Sequence, residues 1–269
     1  MSNNLIAGQF FGQVPRKKTS AASLMTEVVH TTKTSVPTHS HELGHFQLLL
    51  GGSYLETSGG KSAFLSPMTI SWHRPGMTHK DEIGSGGGRF FMIEIDPDAI
   101  QRLIQYVPLP SDFYVRRHPL VSLAGRLYSE FTHWDTGSEL IAEGLTLEML
   151  AHLARNGSAK EKLAPIWLAR VVDKLHADYL EEVTSNGLAK IAGVHPVYLA
   201  SVFRRFHHQT IGEYVQRLRV EHASRLLADH TIALSEIAYI TGFSDQSHFT
   251  RIFKRVAGTT PAAYRSLSG

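Results

Sequence analysis

Cysteine is absent from the 269 residues, and that lack removes disulfide frameworks, thiolate metal sites and cysteine nucleophiles together. No apolar run approaches the length of a membrane span, and the opening residues, MSNNLIAGQFFGQ, lack a cationic start followed by an apolar stretch. A cytoplasmic protein with no membrane partner is therefore expected. There is no nucleophile triad and no dinucleotide fingerprint. The G-S-G-G-G string at 84–88 lies among strand-like segments without a following helix, which predicts a flexible turn and not a phosphate cradle. The expectation is a non-enzyme that needs no cofactor.

Charge of one sign is also scarce, for the net charge is only +3. Its spread is uneven: residues 1–155 hold 13 Lys/Arg against 14 Asp/Glu, whereas from 186 onward the count is 10 against 5. An excess confined to the last third is what a phosphate-binding face requires, although a solvated helical surface can show it too. With 42% hydrophobic and 19% charged residues, the chain has enough apolar material for two domains of ordinary size.

After a short basic cluster at Arg16, Lys17 and Lys18, the texture from 22 to 95 is β. SLMTEVVHTTKT alternates, FQLLL is a short buried-strand run, and AFLSPMTISWH and RFFMIEI are rich in aromatic and β-branched residues. Gly51-Gly52, Gly59-Gly60 and 84–88 are expected to punctuate these strands as turns, giving a small barrel or jelly roll. After Pro97 two amphipathic helices are expected, with Leu123, Leu127 and Phe131 on one and Leu140, Leu147, Leu150 and Leu153 on the other. They can close the barrel or pair with a second subunit, and a homodimer is expected from the general symmetry of oligomers. RNGSAKEKLAP, 155–165, reads as a linker, after which Trp167, Val171, Leu175 and Tyr179 stripe the next helix.

Residues 236–265, EIAYITGFSDQSHFTRIFKRVAGTTPAAYR, read as helix, glycine turn and helix. The apolar set is Ile237, Ala238, Ile240, Phe243, Phe249, Ile252, Phe253 and Val256. An echo lies 49 to 50 residues upstream: Leu188 and Ala189 match Ile237 and Ala238, Gly193 matches Gly242, Phe203 with Arg204 and Arg205 matches Phe253 with Lys254 and Arg255, and Tyr214 matches Tyr264. One such pattern is weak, but a repeat at matched offsets is strong. Through G-F-S-D-Q-S-H-F, R-I-F-K-R and G-T-T-P-A-A-Y-R the chain resembles the AraC/XylS family of transcription regulators over 184–265. The missing cysteine excludes the DNA-repair member of that helix-turn-helix family that accepts alkyl groups on cysteine.

That resemblance implies double-stranded promoter or operator DNA, a small-molecule effector and RNA polymerase as partners, and a dimer interface in the helices after the barrel. In the first unit the expected DNA-contacting residues are Pro196, Val197, Ala200, Ser201, Arg204 and Arg205. In the second they are Gln246, Ser247, Thr250, Arg251, Lys254 and Arg255. Gln246 can pair bidentately with adenine and Arg251 with guanine, whereas Val197, Ala200 and Ser201 offer only methyl contacts and one hydroxyl. The second unit is thus expected to carry most base specificity. A continuous helix over 211–229 should hold the heads apart. At His208 the family usually has glycine, so a left-handed turn there would cost about 1–2 kcal/mol, and Asn186-Gly187 weakens the start of the first support helix.

H-S-H-E-L-G-H at 39–45 and P-G-M-T-H at 75–79 resemble the two motifs of cupin barrels. His39, His41 and His79 fill the histidine places, while His45 or Phe46 stands where metal-binding cupins have glutamate. His39, His41, Phe46, Trp72 and His79 are the expected effector pocket, with His73 near the same cavity. No metal is expected, the alternative being a metal-dependent cupin enzyme or metal sensor using His39, His41 and His79. The resulting expectation is a two-domain α+β protein. It has a cupin-like β-barrel with trailing helices over 1–154, a linker over 155–165 and an all-α double helix-turn-helix domain, its units joined by a long helix, over 166–269.

Overall fold

The computed structural model describes residues 3–105, 111–116, 118–156 and 164–267. The chain divides into two units, Met1–Ala169 and Arg170–Gly269. The linker expected at 155–165 lies mostly outside the described residues. Within the first unit, Ala164 forms an isolated bridge with Phe64.

Among the described residues nine strands make the first unit's sheet: β1 (Asn3–Leu5), β2 (Gln13–Thr19), β3 (Ser23–His30), β4 (Thr34–His41), β5 (His45–Ser58), β6 (Lys61–Leu65), β7 (Ile70–His73), β8 (His79–Ile95) and β9 (Phe113–Val115). Among the described residues the sheet follows the path β1-β4-β8-β5-β7-β9, with β2 on β3, β3 on β8 and β6 on β5. It is a curled sheet, a half-barrel, organised around two long strands. β8 pairs in turn with β3, β4 and β5 along its length.

Gly59-Gly60 is a turn, with φ of 54° and 75° between the paired Ser58 and Lys61. The other glycine runs are not turns. Gly51-Gly52 lies inside β5 and 84–88 inside β8, where the register between the two strands shifts between Leu49 and Gly51 and again between Gly52 and Tyr54. Steric space explains this. A Cβ on Gly52 would come within 2.1 Å of the Gly87 carbonyl oxygen, and one on Gly87 within 2.2 Å of the His30 carbonyl oxygen. Three backbones pass so closely there that only glycine fits, and the bulges bend the long strands into a trough.

Because side chains alternate along a strand, the sheet has two differently filled faces. One packs Phe46, Leu48, Ile70, Trp72, Phe91 and Ile93 against helices. These are α1 (Pro97–Ile104), α2 (Pro119–Thr132) and α3 (Ser138–Asn156), which contribute residues such as Ala99, Leu127, Phe131, Leu145 and Met149. Leu150 and Leu153 of α3 join this core, but Leu140 is 76% exposed and Leu147 and Ile141 are exposed beside it. The leucine stripe of α3 is therefore split, and only its later part closes the sheet. The concave face carries a smaller apolar set, including Val28, Val36, Leu49, Ile83 and Phe90, beside a polar cluster described below.

The second unit is helical: α4 (Trp167–Asp178), which begins in the first unit, then α5 (Ser185–Ala192), α6 (Pro196–His207), α7 (Ile211–Leu226), α8 (Leu234–Ile240), α9 (Gln246–Ala257) and α10 (Pro261–Leu267). Val171 and Leu175 of the α4 stripe are fully buried. A capping box starts α7, in which the Thr210 hydroxyl accepts from the Glu213 N–H and the Glu213 carboxylate accepts from the Thr210 N–H. Its 16 residues give a rod of about 24 Å that ends at Leu226, short of the expected 229. Arg219, midway along α7, donates from Nε to the Tyr179 carbonyl at 2.7 Å and from Nη2 to the Glu181 carbonyl at 3.1 Å, and from Nη1 to the Gly242 carbonyl.

Candidate nucleic-acid interface and ligand cavity

The two repeats fold alike down to single hydrogen bonds. In the first, the Gly193 N–H donates to the Lys190 carbonyl and the Val194 N–H to the Ala189 carbonyl. In the second, the Gly242 N–H donates to the Tyr239 carbonyl and the Phe243 N–H to the Ala238 carbonyl. Both glycines take positive φ, 67° and 79°, so each support helix ends in a left-handed cap and the chain swings into the next helix. Gly187 proves useful at the start of α5: its N–H donates to the Thr184 hydroxyl, and a Cβ there would stand 3.0 Å from that oxygen.

Both second helices divide as the pattern requires. In α6, Leu199, Val202, Phe203 and Phe206 are buried, while Val197 is 71% exposed and Ala200, Ser201, Arg204 and Arg205 are exposed with it. Pro196 sits at the first helical position, and the His195 ring accepts from the Val197 N–H. In α9, Phe249, Ile252 and Phe253 are buried and Gln246, Ser247, Arg251, Lys254 and Arg255 are exposed. Asp245 caps this helix, accepting from the His248 N–H at 2.7 Å.

Four expectations change. Ile240, placed in the apolar set, is 39% exposed. Val256 is 41% exposed and outside the core, although its match in the first repeat, Phe206, is buried. The Thr250 hydroxyl donates to the Gln246 carbonyl at 2.8 Å, which leaves only its methyl and lone pairs for another partner. Arg255 is tied to the Gln216 side-chain oxygen on α7. Among the described residues, the side chains of Arg251 and Lys254 carry no hydrogen bond or ion pair.

His208 adopts the left-handed conformation, with φ 56°, where the second repeat has Gly258 at φ 77°. The turn is kept in spite of the side chain. His208→Gly is accordingly expected to raise stability by about 1 kcal/mol, read as a higher urea midpoint for loss of helical signal. An unchanged or lowered midpoint would contradict this reading of the turn.

On the concave face of the half-barrel, a cavity of about 40 Å³ is lined by Phe10, Phe11, His39, His41, Gln47, Tyr54 and His79, among others. Of the expected pocket residues the structure brings His39, His41 and His79 together and excludes Phe46 and Trp72. Those two rings are fully buried on the helix-facing side, tilted against each other at 52° with 4.9 Å between centroids. The cause is strand alternation: His45 and Gln47 point inward, so Phe46 points outward, and Trp72 is paired with Phe46 in register. His73, next to Trp72, faces the cluster.

The proton inventory of the cluster follows from its partners. His45 donates from Nδ1 to the Leu43 carbonyl, which leaves its Nε2 to accept from His73 Nδ1 at 3.0 Å. His73 Nε2 then donates to Glu56 Oε1 at 3.2 Å, so His73 carries both protons and is the cation of a buried pair. Burial disfavours charge on both partners, but each one's charge and the hydrogen bond overcome it. His73 is raised above its ordinary value and Glu56 held below its own, with the Tyr114 hydroxyl also donating to Glu56. Burial pushes His41 down to about 2 and His79 to about 3, aided by neighbouring imidazoles, and it lowers His39 as well. Those three rings remain neutral.

Tyr54, which lines the cavity, and Glu56 and Tyr114 of the adjoining polar cluster were not legible in the sequence. Counting alternate positions from His45 puts position 56 on the outer face, and it turns inward only because the register shifts around Gly51 and Gly52 reset the alternation.

Among families of known proteins, one described as an AraC-like ligand binding domain matches residues 23–150, and one described as a helix-turn-helix domain matches residues 188–266. The chain is 32% identical over 189 residues to a putative AraC-like transcription regulator of Streptomyces lividans, covering 67% of this chain and 62% of that protein. It is 36% identical over 85 residues to the probable transcription factor PqrA of Proteus vulgaris, covering 32% of this chain and 70% of that one. Among solved structures, apo ToxT from Vibrio cholerae is 12% identical, with 94% of this chain and 100% of that one covered at a TM-score of 0.42. The chain spans between 36% and 62% of the length of the first curated relatives it matches. A ligand-binding fold ahead of a duplicated helix-turn-helix, with relatives of the same description, leads to one conclusion: the chain belongs to the AraC family of transcription regulators.

Proposed function

We propose that this protein binds promoter or operator DNA through the exposed faces of α6 and α9, and that a ligand in the N-terminal cavity controls that binding. The reading is carried by the repeated glycine-capped turn, which presents two helices with apolar backs and polar or small fronts. Helices of this kind enter successive major grooves, and the α7 rod sets their spacing at about one helical turn of DNA or on a bent site. Residues 1–154 sense the ligand and 166–269 bind DNA. The exposed Leu140, Ile141 and Leu147 of α3 supply an apolar stripe suited to a second copy, so the working form is a homodimer. The protein works in the cytoplasm, acts on RNA polymerase and catalyses no reaction.

The test begins by capturing fragments of the source genome to define the operator. Arg251→Ala should then weaken operator binding by about 10- to 100-fold, the 1–3 kcal/mol of a bidentate base contact. Single-base changes in the half read by α9 should cost more than those in the half read by Val197, Ala200 and Ser201. Fluorescence anisotropy decides the matter. Equal affinities for wild type and Arg251→Ala would remove α9 as the reading head, and larger penalties in the other half would reverse the assignment.

A further inference from the structure

We infer that His39, His41 and His79 bind a divalent transition-metal ion of the class that favours imidazole, such as Zn²⁺, Ni²⁺ or Co²⁺, and that this ion is the ligand of the N-terminal cavity. The inference deepens the function proposed above and rests on it only for the regulatory consequence.

Three observations carry it. One ligand nitrogen from each of the three buried rings lies within 4.8 Å of the others. Around a metal at 2.0–2.1 Å those nitrogens would stand about 3.3 Å apart, a gap that small side-chain rotations close. The rings also have lone pairs to give. His39 donates from Nδ1 to the Pro37 carbonyl at 2.9 Å, which fixes the tautomer with Nε2 bare, as is usual for a metal ligand held by an outer hydrogen bond. His41 makes no hydrogen bond with either nitrogen among the described residues, and its Nδ1 is fully buried. A buried imidazole without partners is costly unless something else satisfies it.

The neighbouring His45, His73 and Glu56 are already committed to one another, whereas His41 is unpartnered and His79 Nε2 has only the Asp81 carboxylate nearby, 3.7 Å from its Oδ2. Size agrees: about 40 Å³ holds an ion with one or two waters. An all-nitrogen set also selects against Mg²⁺ and Ca²⁺, which take oxygen ligands.

The experiment titrates chelator-treated full-length protein with Co²⁺ and follows its visible absorption. One Co²⁺ per chain is expected, displaced by Zn²⁺ and indifferent to millimolar Mg²⁺. His41→Phe and His79→Phe should each weaken binding roughly 100-fold or more, and His230→Ala, a change at an exposed histidine outside the cavity, should not. Circular dichroism of each variant in chelator checks folding, and His41→Gln replaces any phenylalanine variant that fails to fold. Absence of the Co²⁺ signal, or a signal unmoved in folded His41 and His79 variants, overturns the site. Operator affinity with and without Zn²⁺ is a separate readout. If it is unchanged beside an intact Co²⁺ signal, the metal site stands and the cavity is not the control point for DNA binding.

Discussion

Replacing Arg219 by alanine is expected to lower the stability of the helical unit by about 3 kcal/mol, the range for losing several hydrogen bonds from a charged donor. The guanidinium lies half-buried against α4 and the turn of the second repeat. It satisfies the Tyr179 and Glu181 carbonyls beyond the end of α4, approaches the Leu180 carbonyl at 3.5 Å, and reaches the Gly242 carbonyl between α8 and α9. Alanine removes the donors and leaves carbonyl oxygens with neither protein nor adequate water to bond. Lysine should restore less than half the loss, because a single ammonium cannot reproduce the planar fork. Urea unfolding of the full chain, followed by helical circular dichroism, measures the effect. A midpoint within error of wild type would show that these contacts are replaceable by solvent. The turn has little slack, for a Cβ on Gly242 would sit 3.0 Å from the Leu180 carbonyl oxygen and 3.1 Å from Arg219 Cζ.

Glu94→Gln should stabilise the first unit at pH 8 by roughly 2 kcal/mol while leaving it near wild type at pH 5. Burial raises the Glu94 carboxyl to about 7 from an ordinary 4.5, against the opposing pull of the Gly8 N–H and Lys17. With the folded-state value raised, the folded protein binds the extra proton. The associated stability is fully present below 4.5 and is lost as pH rises through 7. The full difference corresponds to about 3 kcal/mol, reduced here for partial solvent screening. Glutamine cannot ionise, still accepts from the Gly8 N–H, and so escapes the loss. Thermal melts of both proteins from pH 5 to 8 provide the check. Parallel curves for wild type and variant across that range would mean that Glu94 stays ionised in the fold.

The helical unit was largely legible in the sequence because its signals are local. The glycine turns and the left-handed position at His208 act within a few residues of themselves, and each occurs in both copies of the 49- to 50-residue echo. Val256 escaped this reading because an apolar residue at helical spacing does not reveal how far the core extends. The half-barrel was less legible. His39, His41 and His79 could be placed by motif, but the faces of Phe46, Trp72 and Glu56 depend on strand register and on bulges made by distant backbone crossings. Glycine runs look identical in sequence whether they end strands or bend them. Only the approach of Gly52, Gly87 and His30 distinguishes the two here.

The alternation along β5 gives that strand mechanical leverage. His45 and Gln47 look toward the cavity while Phe46 and Leu48 are wedged into the helical layer that includes α2 and α3. In a close-packed interior, a shift of an ångström in the wall cannot be absorbed locally. A displacement of that wall would therefore be felt in the layer beneath the α3 helix, whose opposite flank exposes Leu140. The wall itself would then be the lever arm, joining the cavity side of β5 to the helical layer through one set of packed side chains.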